Sequence, residues 1–247
     1  TTDGITNAGN FSTDGGTIKL DGNYPVGTDN VALGDTALDS VESGAQYNVA
    51  IGHAAGTALT TGDQNVAVGA FALDAQTTAG TNTALGYAAL SSNTDGVANV
   101  GVGLLALGSN TTAVSNTAVG YAALDATTTG GLNTAVGQDA LGANTTASNN
   151  TALGYQALGA NTTGTGNVSV GYQALDANTT ADNNTAVGKA ALGTNTTGAS
   201  NTGIGREALA LATTGSDNTA VGKLALYANT TASNNTAVGS DALVANT

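Results

Sequence analysis

The chain of 247 residues contains no cysteine, no methionine and no tryptophan, and has one proline, one histidine and four basic residues. Without cysteine there are no disulfides and no thiolate for catalysis or metal binding, whatever the compartment. Four Lys and Arg against 17 acidic residues leave a net charge of −13. Such a surface repels phosphate backbones, which argues against nucleic-acid binding. Charged residues are 9% of the chain, against about 25% in ordinary soluble domains. Gly, Asn, Thr and Ala fill the space instead. Apart from Ala these are poor helix formers, and there is little Glu or Lys to offset them, so long helices are excluded. No apolar run reaches the ~18 residues of a membrane span. No signal-peptide pattern opens the chain. It starts at Thr1 and stops within a repeat just past Asn246, so both ends are expected to be cuts in a longer protein. Polar low-complexity tracts often stay unfolded, but here 40% of residues are hydrophobic and they recur at fixed places.

What is present is a metre. Asn, Thr or Val, a tiny residue, an aliphatic, Gly, two free positions and Ala-Leu return in 13 copies, as in NVALGDTAL from Asn30 and NTAVGKAAL from Asn184. From Asn48 to Asn235 the spacing is 17 residues without insertion or deletion. Fixed periodicity of this kind marks a solenoid, in which each repeat is one coil that buries its apolar side by stacking on its neighbours. The expected fold is therefore all-β, a parallel β-roll or β-solenoid of 17-residue coils over residues 30–247. Residues 1–29 do not follow the repeat and read as an N-terminal lead-in. Thr17-Ile18-Lys19-Leu20 alternates as a strand, with turn-prone Asp21-Gly22-Asn23 and Pro25 after it. A segment of this kind caps the open edge of the first coil; a linker to an upstream domain is the alternative.

Counting from the Asn, position 1 is Asn and position 5 is Gly in all 13 copies, position 4 is always Val, Ile or Leu, and position 8 is always Ala. Position 9 is Leu in 12 copies, with Gly56 the exception, and position 13 is Thr in 12, with Glu42 the exception. Strand alternation puts positions 2 and 4 on one face. With a second strand over positions 8–12, the expectation is that positions 4 and 9 meet inside a flattened coil. Gly at position 5 lets the chain turn or pack closely. Asn-Thr-Thr near positions 12–14 forms the far bend, and stacked Asn amides can chain into a ladder.

Position 3 is only Ala, Gly or Ser, and position 8 only Ala, whereas positions 6, 7 and 10 vary widely. Rows kept small imply close approach, either by another chain or by crowding within the coil's own corner. Asp at position 10 (Asp39, Asp74, Asp125 and Asp176) never occurs in two successive coils, as avoidance of stacked carboxylates requires.

The runs NVALG at Asn30, NVAIG at Asn48 and NVAVG at Asn65 closely resemble the head repeats of YadA-like trimeric autotransporter adhesins. The copies at Asn149–Leu158 and Asn183–Leu192 are similar to repeats of phage tail-fibre and surface-fibre proteins. The resemblance covers residues 30–247. It implies a left-handed β-roll, a homotrimer, and a structural or adhesive fibre segment without enzymatic activity. The setting it implies is a virion tail fibre or similar appendage contacting the host. The alternative is an adhesin head on a bacterial surface, which a barrel anchor would mark where a chaperone tail would mark the phage. The adhesin-head repeat is nearer 14 residues, so the loop geometry departs from that family.

Chemistry has little to stand on. His53 is alone at a free position and reads as a solvent or interface residue rather than a catalytic base or metal ligand. Glu42 and Glu207 with scattered Asp residues form the only carboxylates for a glycosidase pair. With no Trp and 4% aromatics, a polysaccharide depolymerase is the least favoured reading. No calcium-repeat pattern appears, and no cofactor is implied. The Asn-x-Thr triplets at Asn110, Asn144, Asn161, Asn178, Asn195 and Asn229 follow from the bend motif. Adjacent Thr-Thr at a bend fits poorly with a flat ice-binding face. Two columns at position 6 remain as candidate surface contacts: Tyr87, Tyr121, Tyr155 and Tyr172, then Lys189, Arg206 and Lys223. Aromatic and basic side chains along an edge can touch a host glycan or an anionic surface; the plainer reading is tolerant surface.

Overall fold

A computed structural model describes residues 18–19 and 29–246. The first 29-residue segment is thus described only at Ile18–Lys19 and Asp29, and its turn and proline lie outside the described residues. β1 (Ile18–Lys19) lies antiparallel on β2 (Val31–Leu33), pairing with Leu33 and Ala32. From β2 to β14 (Thr236–Val238) there follow 13 strands of three residues, each parallel and in register with the next. They form a β-solenoid, with no helix among the described residues. At ~4.8 Å per rung, 12 steps make a rod on the order of 60 Å long.

Position 1 joins the coils. The backbone N–H of each Asn donates to the side-chain Oδ1 of the Asn one coil earlier, unbroken from Asn30 to Asn235 at 2.8–3.0 Å. In most coils the same side chain's Nδ2 donates to the carbonyl that closes its own coil, as from Asn133 to Ala147 at 2.9 Å. The fit needs a short side chain carrying both an acceptor and a donor, which is why Asn never varies there.

The interior differs from the expected pairing of positions 4 and 9. Position 3 points inward, with Ala84, Ala118, Ala135 and Ala186 fully buried, while position 4 points outward. Positions 8 and 9 are both inward. Two consecutive residues cannot face one side of a strand, and positions 8–11 of each coil form turns rather than a second strand. The conformation responsible is left-handed backbone at positions 7 and 9, as at Asp139 (φ 54) and Leu141 (φ 52). A Leu there is strained. Burial of its side chain offsets that strain, as do rung-to-rung bonds such as Leu124 N–H to Ala140 O at 3.0 Å. The small rows at positions 3 and 8 are therefore interior rows, not chain contacts. With Ala and Leu already turned in, little space is left at position 3. A Cβ on Gly203 would lie 3.3 Å from Leu192 Cγ. The one hydroxyl there, Ser169 Oγ, is satisfied by donating to Ala174 O at 2.7 Å.

Gly56 breaks the Leu column but leaves a void of only about 10 Å³. In that coil Leu59 at position 12 is buried instead, and a Cβ on Gly56 would come 3.0 Å from Leu38 Cδ2. From Gln76 onward position 12 becomes a second amide ladder, each Nδ2 donating to the Oδ1 one coil earlier, as from Asn178 to Asn161 at 2.9 Å. Thr127 and Ala212 interrupt it. The buried Oδ1 atoms of Asn110 and Asn195, one coil before each interruption, have no partner. The Asn side chains of the Asn-x-Thr triplets are buried in this ladder and serve the fold.

Two substitutions test this architecture. Ala212→Asn gives Asn195 its missing donor and Asn229 a new acceptor, and should raise stability by about 1 kcal/mol in denaturant unfolding; a loss would contradict the ladder. Gly137 has φ 133 and a Cβ on it would lie 2.5 Å from the Gly154 carbonyl oxygen. Gly137→Ala should therefore cost at least about 2 kcal/mol, measured the same way.

Candidate functional site

Each strand ends at position 4 and the Gly after it turns the chain, so position 6 stands on an outer corner and stacks into one column along the rod. Tyr87, Tyr121, Tyr155 and Tyr172 are all well exposed there. Tyr87 and Tyr121 are separated by the Leu104 coil and do not stack. Tyr155 and Tyr172 occupy successive coils, their rings 5.3 Å apart and inclined by 15°. Lys189 continues the column with Nζ 5.9 Å from the Tyr172 ring centre, within reach of a cation–π contact. Arg206 turns to its neighbour Glu207 at 3.6 Å. Of the seven candidate residues, then, three form one contiguous aromatic-basic group. Lys223 and Arg206 extend its line, and the other two tyrosines stand apart.

Nearer the start of the rod, Phe71 bridges two members of the corner column. Its ring meets His53 edge-on at 5.2 Å and Tyr87 edge-on at 5.7 Å. His53 Nδ1 lies 3.6 Å from Asp35, both well exposed. His53 thus belongs to a surface cluster. Among the described residues no group of three His, Cys, Asp or Glu is arranged to hold a metal ion.

The sequence reading missed a larger feature. Positions 2 and 4 lie side by side on the outward face of the parallel sheet, giving a Thr/Val column beside an aliphatic one. Ile51, Leu85, Leu153 and Ile204 are each more than a third exposed, and Val238 is 71% exposed. The invariance of the aliphatic residue at position 4 is its sequence signal, but that signal reads equally well as a core row.

At the next edge, the hydroxyls of the position-13 threonines point back into the rod. Thr111 Oγ1, for instance, donates to Thr128 O at 3.0 Å. Those hydroxyls serve the bend. At position 10, burial raises the carboxyls of Asp74, Asp125 and Asp176 above the usual Asp range, with a further contribution at Asp125 from the charge of Asp139.

Comparisons of the chain with protein families, curated proteins and solved structures return no match.

The three aspartates make the rod pH-sensitive in a defined direction. Folding disfavours their charged form, so the stability they contribute is complete below the unfolded Asp pKa and lost as pH rises through their raised values. Replacing all three (Asp74→Asn, Asp125→Asn, Asp176→Asn) should raise the melting temperature at pH 7. The gain over the parent should shrink as pH falls toward the ordinary Asp value of 3.8. A gain that is the same at both pH values would contradict the burial argument.

Proposed function

We propose that this chain is a rigid, non-enzymatic rod segment of a homotrimeric fibre, most simply a phage tail fibre or similar virion appendage. Its role is mechanical: it holds host-contacting surface at a fixed distance, and the corner column of Tyr155, Tyr172 and Lys189 is the part suited to touch a cell-surface glycan or protein. The observation that carries the reading is the outward aliphatic column at position 4. A strip two side chains wide along the whole rod is on the order of 600 Å² per chain, close to the ~800 Å² per partner of a stable interface. A second and third copy of the same strip are its natural cover, and three is the number implied by the resemblance to fibre repeats. The columns are parallel and in register, so copies can meet along their full length without a break in the match.

Sedimentation equilibrium of the purified chain should give a mass three times that of one chain. Val119→Lys with Val136→Lys and Leu153→Lys, in successive coils on the outward face, should reduce this to one without loss of the β signal in circular dichroism. A parent chain that sediments as a monomer would overturn the trimer.

A further inference from the structure

Between the corner column and the far bend, four successive coils leave a recess of about 300 Å³ on the flank of the rod. These are the coils of β10 (Val168–Val170), β11 (Thr185–Val187), β12 (Thr202–Ile204) and β13 (Thr219–Val221). Its origin is local. At position 10 the rod carries glycines, and in two places the following coil roofs the glycine with an aspartate. A Cβ on Gly108 would lie 2.6 Å from Asp125 Oδ1, and one on Gly159 would lie 3.0 Å from Asp176 Oδ1. Gly193 has no such roof, because Ala210 occupies that place in the next coil. The floor is therefore open, with Gln173 and Asp176 toward one end and Glu207, Leu211 and Tyr227 lining the rest.

This lining selects a chemistry. The volume is at the small end of ligand sites, too small for a folded segment and large enough for one sugar ring. Carboxylates accept hydrogen bonds from pairs of adjacent hydroxyls, and Glu207 and Asp176 supply two. The Gln173 side-chain amide donates to Gln156 Oε1 at 2.9 Å, which leaves its own oxygen as a further acceptor. Tyr227, Leu211 and Ala210 provide apolar surface for the C–H face of a ring. Arg206 at 3.6 Å offsets the charge of Glu207, so Asp176 is the carboxylate that disfavours an anionic ligand. Burial already holds Asp176 above the usual Asp range, so a further negative charge beside it is costly. We propose that this recess binds a single uncharged pyranose unit of a glycan. The site is lined from positions 7, 10 and 11 rather than from the position-2 and position-4 face, so it does not depend on the fibre reading.

The test is saturation-transfer NMR on the purified chain. The probes are the methyl glycosides of glucose, galactose, mannose and N-acetylglucosamine, with N-acetylneuraminic acid as the anionic counterpart. At least one neutral glycoside should receive transfer, and the acidic sugar should not. Ala210→Asp reproduces the roof already present over Gly108 and Gly159, so it should close the recess in a folded rod and weaken binding at least about tenfold. Tyr227→Ser should weaken it in the same direction with an unchanged circular dichroism spectrum. Transfer to none of the neutral sugars, equal transfer to the acidic one, or transfer unchanged by Ala210→Asp overturns the proposal. None of these outcomes bears on the sedimentation mass, which depends on a different face.

Discussion

The rod depends on one hydrogen bond made again at every level: the backbone N–H of a position-1 Asn donating to the Asn side chain one coil below. A short strand of three residues is a weak element by itself. Here each is clamped at its entry by a buried amide that fixes both register and spacing, and a one-residue slip would break every such bond at once. Position 5 imposes the complementary constraint. With φ near +135 at Gly137, Gly154 and their equivalents, and the next coil's carbonyl where a Cβ would stand, coils stack closely only if that residue is Gly. Asn at one end of the strand and Gly at the other thus account for the fixed period.

The interior is thin and continuous rather than concentrated. Each coil contributes one small residue from the strand and, Gly56 apart, an Ala-Leu pair from the turn, and each layer packs against the layers on either side. Left-handed backbone at the Leu is what turns adjacent residues inward together. Local strain is accepted because it recurs in an environment that repeats, with burial and rung-to-rung bonds supplied each time. Deviations are handled within the coil, as when Leu59 fills the space beside Gly56. Where no compensation exists, at Thr127 and Ala212, the cost is visible as a stranded amide oxygen on Asn110 or Asn195.

Much of this was legible in the sequence. The period, the parallel stacking, the Asn ladder, the tight Gly and the bend at Asn-Thr-Thr all follow from which residues recur at fixed places. The direction of the side chains was not. A strand with Ala at position 3 and Val, Ile or Leu at position 4 places one of them inside, and burying the larger is the ordinary expectation. The turn reverses that choice: Ala and Leu both point in, the coil is full, and only a small residue fits opposite. Nothing in the one-letter pattern announces left-handed φ at a Leu, since that conformation is disfavoured for the residue taken alone. With positions 3 and 8 inside, the face left outward is that of positions 2 and 4. The corner column at position 6 was read correctly as an outer edge, but contact between Tyr155, Tyr172 and Lys189 depends on their falling in consecutive coils. The recess beside Gly193 could not be seen in any single repeat, because it arises from what the following repeat lacks.

Residue-resolved amide hydrogen exchange tests the central claim most directly. The account predicts slow exchange for the backbone N–H of every position-1 Asn from Asn48 to the interior coils near Asn218, at a similar level along the rod, because each donates to the same buried acceptor. Exchange of those amides at the rate of an unstructured chain, or protection confined to one block of coils, would contradict a continuous in-register stack.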